Sequence, residues 1–229
     1  MPFVSDLMDI AVLKQEYAEN QFEHCFEAIR SRYSKVRRMR KDGCCFYRAF
    51  LYQMFEYFIL HKEDRLAYDS FLKITAESKD RLVKNGGYDE ITIEDFFDSF
   101  HDAVKGLKDV SVEKCAEHLE KTLCNKEEAN YVIMYARFIT ATYLKENSFL
   151  YEDFVGDVTQ YCLREIEQID VECDHPAILG ITQFFNVGVE VNSVSVQRQI
   201  DVILLPEEGY DGFRPKLLYV PGHYDSLYA

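Results

Sequence analysis

Apolar positions recur at helical spacing through most of the chain, then switch to alternation from about residue 187 onward. Between Glu16 and Tyr33, the residues Tyr17, Phe22, Cys25, Phe26, Ile29 and Tyr33 fall on one face and predict a helix. Lys41-Asp42-Gly43 interrupts the pattern, because Asp-Gly favours a turn. It resumes from Cys45 to His61 with Phe46, Ala49, Phe50, Met54, Phe55 and Phe58, an apolar face wide enough for a buried helix. Asp64 to Lys84 predicts another helix, stopped by Asn85-Gly86-Gly87. Thr92-Ile93-Glu94-Asp95 reads as a capped start for a helix through Val104, and Ser111 as the cap of Val112 to Leu123. Glu127 to Lys145 is the longest periodic segment, and shorter helices are expected at Val158 to Gln168 and Ala177 to Phe185.

The closing segments are of another kind. Val187 to Asn192 and Ile200 to Leu205 are β-branched and alternating, which predicts strands. Lys216 to Val220 and His223 to Tyr228 flank Pro221-Gly222, a strand–turn–strand hairpin pattern. The fold class expected is α/β in the α+β sense: helices packed around a mostly antiparallel C-terminal sheet. The chain has 229 residues with no repeat and no linker-like tract, so one domain over 1–229 is expected.

Composition narrows the function. With 26 basic against 40 acidic residues the net charge is −14, which repels phosphate backbones and argues against nucleic-acid partners. No apolar run approaches the roughly 18 residues of a membrane span, so no membrane partner is expected. The N-terminus lacks the basic start of a secretory signal. Seven cysteines, an odd number with no C-x-x-C pair, read as free thiols in a reducing compartment and not as a disulfide framework or a zinc site. A cytoplasmic protein is expected, and the basic run from Arg30 to Lys41, most simply a solvated face, is also compatible with a nuclear address.

Two short segments carry candidate chemistry. In Lys41 to Phe50 a turn feeds a helix with a cysteine at its start. Helix N-termini expose unpaired amides and a partial positive charge, which favours a thiolate and can hold a developing oxyanion. Near the C-terminus, His223 and Asp225 are two apart on a predicted strand and so share a face, as a base and the carboxylate that orients it would. Either segment alone is weak: a lone cysteine is more often a small buried hydrophobe, and a lone His-x-Asp more often a solvated pair.

Together they acquire a family resemblance. Asp42-Gly43-Cys44-Cys45-Phe46-Tyr47-Arg48-Ala49 resembles the Asp-Gly-Asn-Cys-Phe-Tyr-Arg-Ala signature of otubains, which are OTU-family deubiquitinating cysteine proteases. Pro221 to Tyr228 resembles their histidine motif, and Glu172-Cys173-Asp174-His175 their Glu-Ser/Cys-Asp-His stretch. Ile91 to Phe96 and Lys14 to Glu19 are similar to family segments too, which leaves 1–13 as a short lead-in. The resemblance implies an OTU-type fold with Cys45 as nucleophile, His223 as general base and acid, and Asp225 orienting the histidine. It implies an oxyanion hole from Asp42, Gly43 and Cys44, and ubiquitin contacts at Asp174, His175 and Tyr224. The implied substrate is the isopeptide bond at the ubiquitin C-terminus, with preference for polyubiquitin chains joined through lysine forty-eight, and no cofactor or metal. The alternative is a non-catalytic regulator that binds ubiquitin or a ubiquitin-conjugating enzyme. In the family that role draws on an N-terminal extension, which the short lead-in here is not expected to supply. A papain-like peptidase fits less well, since its cysteine signature differs. Position 44 departs from the family, where Asn is usual. A backbone role there tolerates Cys44, and its thiol also suggests a reversible disulfide with Cys45. Asp174 before His175-Pro176 reads equally as a helix N-cap.

Overall fold

A computed structural model describes residues 2–18, 22, 25–194 and 200–229. Two short strands, β1 (Met8–Asp9) and β2 (Lys35–Arg37), flank two short helices, α1 (Val12–Ala18) and α2 (Cys25–Arg30). The helices α3 (Cys45–Leu60), α4 (Arg65–Arg81), α5 (Glu90–Gly106), α6 (Cys115–Cys124) and α7 (Lys126–Glu146) follow. Then come α8 (Glu152–Val155), α9 (Val158–Tyr161) and α10 (His175–Phe185), and the strands β3 (Val189–Val194), β4 (Ile200–Leu205), β5 (Lys216–Val220) and β6 (His223–Tyr228).

The strands form one six-stranded sheet in the order β1-β2-β6-β5-β3-β4. Every neighbouring pair is antiparallel except β3 and β5, which run parallel. The expected mostly antiparallel sheet is therefore present, extended at the β6 edge by N-terminal strands that no alternation announces: β2 is only Lys-Val-Arg inside the basic run. That run is a solvated face only in part: Arg30, Arg32, Lys35, Arg40 and Lys41 are exposed, whereas the two arginines between them are not. Arg37 and Arg38 keep 13% and 16% of their side chains exposed and pair with Glu56 and with Asp225.

The helix expected from Glu16 to Tyr33 is divided. Helix α1 starts earlier, after the Asp9 carboxylate accepts from the Ala11 amide, and α2 ends at Arg30. Tyr33 has left the helix and bonds Glu190 and Asn192 of β3. Positions 19–21, 23 and 24 of that expected helix lie outside the described residues. Asp89, not Thr92, caps α5, accepting from the Thr92 amide at 3.0 Å. Ser111 precedes a 3-10 turn without capping it by its side chain, and α6 starts at Cys115. The last expected helix before α10 shortens to α9 and a π turn over Cys162–Ile166.

Side chains of the sheet alternate between two cores. Leu217, Val191 and Tyr224 join the large core with α3, α5, α7 and α10. Leu218, Val36, Val194 and Leu227 join a smaller one with α1 and α2 on the opposite face. Helix α3 is enclosed almost all round, as its broad apolar face requires: each fully buried Phe there is worth about 1.5–3 kcal/mol over exposure. Its polar interruptions are paired, Gln53 exchanging hydrogen bonds of 2.9 Å with both backbone groups of Lys216. This pins α3 to β5 and sets its N-terminus beside the β5–β6 turn.

Candidate active site

The turn before α3 is built to be tight. Gly43 has φ +72°, and a Cβ there would lie 2.3 Å from the backbone carbonyl of Asp170, so only glycine fits. One Asp42 carboxylate oxygen accepts from the Cys44 amide and from Arg48 Nη1, each at 3.0 Å. Arg48 is 1% exposed, and the aspartate balances its buried charge. Asp42 therefore shapes the turn, and the Cys44 amide is committed to it. Of the predicted oxyanion donors, Gly43 also contributes the bend, and its amide, that of Asp42 and that of Cys45 as α3 opens are not drawn into the Asp42 carboxylate bond. Cys44 points its sulfur at the Ile169 carbonyl and the Arg137 guanidinium, and burial raises its thiol pKa.

Cys45 is the first residue of α3, 2% exposed, and faces β6. On β6, His223 Nε2 lies 2.9 Å from Asp225 Oδ1, with both side chains buried. The other ring nitrogen, Nδ1, has no hydrogen-bond partner of good geometry. Cys45 is close enough to act on it, a loose apo arrangement that substrate can tighten. Burial alone would depress the histidine, but the bond to Asp225 and the contact with Cys45 outweigh it and push the imidazole up to about 9. Asp225 is itself held by the Met39 amide at 2.7 Å and by Arg38 Nε at 2.8 Å. The structure thus brings together Asp42, Gly43, Cys44, Cys45, His223 and Asp225 from two ends of the chain.

Sequence reasoning missed Arg137. Its fully buried guanidinium donates to the carbonyls of Gly43 (2.8 Å), Ile166 (2.9 Å), Ile169 (3.2 Å) and Val171 (2.7 Å) and lies over the Tyr47 ring. It ties the turn before α3 to the segment leading into α10. In the sequence it is one basic residue within a long apolar helix, and only that incongruity could have flagged it.

Asp174 caps α10, accepting from the Ala177 amide at 3.2 Å and from the Tyr161 hydroxyl at 2.6 Å. His175 is exposed beside it. Tyr224 turns away from the histidine face and packs edge-on against Phe46. All three nevertheless line one cavity of 330 Å³ together with Glu172, Cys173 and Tyr219. Glu172 approaches the β5–β6 turn: a Cβ on Gly222 would lie 3.2 Å from its carboxylate. A larger hollow of 810 Å³ continues past Asp174 and His175 to Leu150, Phe154 and Leu179, with Leu150 and Phe154 52% and 83% exposed. Among the described residues, no group of three His, Cys, Asp or Glu side chains is placed to hold a metal, and no helix is long and apolar enough to cross a membrane.

Comparison with known proteins adds relatives to this geometry. The sequence model of the family described as Peptidase C65 Otubain matches residues 1–229. The chain is 32% identical to human ubiquitin thioesterase OTUB1 over 234 residues, covering 99% of this chain and 83% of that protein. It is 33% identical to a Caenorhabditis briggsae ubiquitin thioesterase, otubain-like, covering 99% and 81%. A solved complex of ceOTUB1, ubiquitin aldehyde and UBC13~Ub superposes with a TM-score of 0.88 at 28% identity, over all of this chain and 94% of that one.

Proposed function

The chain belongs to the otubain family of deubiquitinating cysteine peptidases, and from that premise we propose that Cys45, His223 and Asp225 are its catalytic residues and lysine-forty-eight-linked ubiquitin its preferred substrate. The observation that carries the catalytic reading is a helix-terminal cysteine set against a buried histidine whose far nitrogen is 2.9 Å from a buried carboxylate. With its pKa pushed up to about 9, His223 carries its proton at neutral pH, so the ring opposite Cys45 begins as an imidazolium. The Cys45 sulfur attacks the carbonyl carbon of ubiquitin's C-terminal glycine as a thiolate. The amides of the turn and of the first turn of α3 hold the oxyanion. The imidazolium passes its proton to the departing lysine amine, leaving a thioester and a neutral ring. That ring takes a proton from water, which attacks the thioester and frees ubiquitin and Cys45. Asp225 keeps the ring oriented and offsets its charge.

The linkage preference rests on the family resemblance. Ubiquitin as partner is supported by the ubiquitin aldehyde in the related complex, and the exposed Leu150 and Phe154 in the hollow with His175 suit an apolar patch ringed by basic residues and met by an acidic protein. The free thiols of Cys44, Cys45, Cys115, Cys124, Cys162 and Cys173 fit a cytoplasmic site of action, with nuclear presence also compatible. A second reading, restraint of a ubiquitin-loaded conjugating enzyme, is favoured by the UBC13~Ub in that same complex and would not need the Cys45 sulfur.

Ubiquitin with a C-terminal alkyne electrophile separates these readings. Intact mass and peptide mapping should show a single adduct on Cys45, retained in Cys44→Ser and abolished in Cys45→Ser. Labelling of another cysteine, or none, would remove Cys45 from the chemistry.

A further inference from the structure

The predicted triad ends at Asp225, but the chain of charged groups continues. Arg38 follows β2 directly, and the β2–β6 register runs through Val36↔Leu227 and Arg37↔Ser226, so Arg38 falls opposite Asp225. Val36 and Leu227 belong to the smaller core, and alternation puts Arg38, Asp225 and His223 on that same face. The cover there is α1. Its Glu16 grips Arg38 with both oxygens, through Nη1 and, at 3.1 Å, Nη2. Arg38 Nε in turn lies 2.8 Å from Asp225 Oδ2. Asp225 Oδ1 meanwhile serves His223 and the Met39 amide. Oδ1 thus carries the hydrogen bonds, while Oδ2 is held by its ion pair with Arg38, whose Nε makes no aligned hydrogen bond.

We propose that Arg38, braced by Glu16 of α1, is a positioning residue that fixes the plane and charge of Asp225 and through it the orientation of His223, so that seating of α1 on the sheet is a condition of full activity. This rests on the reading of Cys45, His223 and Asp225 as catalytic. A neutral side chain at 38 frees the carboxylate to rotate, so the ring is misplaced. It also leaves Asp225 without its guanidinium, so the full carboxylate charge acts on the imidazolium and its proton is held more tightly. The other titratable groups around the pair are Cys45 from α3 and Glu16 from α1, which act on His223, Tyr17 of α1, which acts on Asp225, and Glu172, which lies beside Gly222, and the substitution changes none of them.

The test is steady-state cleavage of a ubiquitin fluorogenic substrate across pH by wild type, Arg38→Gln, Arg38→Lys and Glu16→Gln, with thermal melts alongside. In Arg38→Gln, kcat should fall at least about tenfold with KM within about threefold, and the basic limb of kcat/KM should move up. Arg38→Lys restores a cation beside Asp225 and should return the limb to the wild-type position. Glu16→Gln should lower kcat by a smaller factor with its limb displaced downward, because it removes a negative charge near His223 and leaves the Arg38 charge unshared beside Asp225. A folded Arg38→Gln with wild-type kcat and limb overturns the inference, and so does an equal loss in Arg38→Lys with no limb movement. If Arg38→Gln does not fold, Glu16→Gln decides, and an unmoved limb and kcat there overturn it. Inactive Cys45→Ser and His223→Ala controls show that such a failure belongs to the inference alone. Activity surviving in Cys45→Ser would instead strike the catalytic reading itself.

Discussion

Gly43→Ala probes the turn that presents Cys45. The new methyl group would sit 2.3 Å from the carbon and oxygen of the Asp170 carbonyl, and φ is +72°. Left-handed backbone costs a non-glycine residue roughly 1–2 kcal/mol. The clash is with backbone, which cannot swing aside as a side chain could, so the turn or the 166–171 segment must shift. Together these should cost at least about 2–3 kcal/mol, or about 5–10 °C in Tm for a chain of this size. A shifted turn moves the amides that open α3, and loss of one oxyanion donor typically costs about 100- to 1000-fold in kcat. Gly87→Ala is the control: φ is +76° but nothing lies within 4 Å of the added carbon, so only the strain remains. It should lower Tm by a few degrees and leave kcat unchanged. Thermal melts and kcat on a ubiquitin fluorogenic substrate read both variants. A Gly43→Ala enzyme matching wild type, or matching Gly87→Ala in both readouts, would refute the reasoning.

Three further expectations follow from the same site. Arg137→Met leaves the carbonyls of Gly43, Ile166, Ile169 and Val171 without their donor and, at about 1–3 kcal/mol for each buried group left unpaired, should destabilise the fold by at least about 3 kcal/mol in denaturant titration, with less than 1 kcal/mol counting against the strut. Cys44→Asn should change kcat by less than about tenfold, or 1.4 kcal/mol, because position 44 serves the turn through its amide while its sulfur faces Ile169 and Arg137; a hundredfold gain would contradict this. His223, raised from an ordinary histidine value near 6.5 to about 9 in the folded protein, contributes stability that is fully present below pH 6.5 and lost as pH climbs through 9. Melting temperature should fall over that window, His223→Ala should flatten the fall, and the basic limb of kcat/KM should lie near 9, not near 6.5.

Much of this site could be read from sequence because its chemistry lies in contiguous motifs. The turn before Cys45 and the His-x-Asp strand each predict their own local geometry, and long periodic helices such as α3 and α7 have no competing reading. What escaped is what depends on distant packing. Strand β2 is three residues of a basic run, recognisable only once β6 is beside it. Arg38 looks like an ordinary surface cation until Asp225 is beside it, and Arg137 is only an odd basic residue in an apolar helix until the turn carbonyls surround it. The helix expected over Glu16–Tyr33 had the right periodicity, but Tyr33 is drawn out of it by Glu190 and Asn192 of β3. The suggested disulfide between Cys44 and Cys45 finds the two sulfurs turned to different partners, one to Arg137 and the other to His223.

The central claim is cleavage of ubiquitin isopeptide bonds through Cys45, and kcat/KM on a panel of di-ubiquitin linkages with Cys45→Ser alongside tests it most directly. The account predicts turnover concentrated on the lysine-forty-eight linkage and abolished in Cys45→Ser. Ubiquitin binding without turnover of any linkage, or turnover that survives the loss of the Cys45 sulfur, would contradict it.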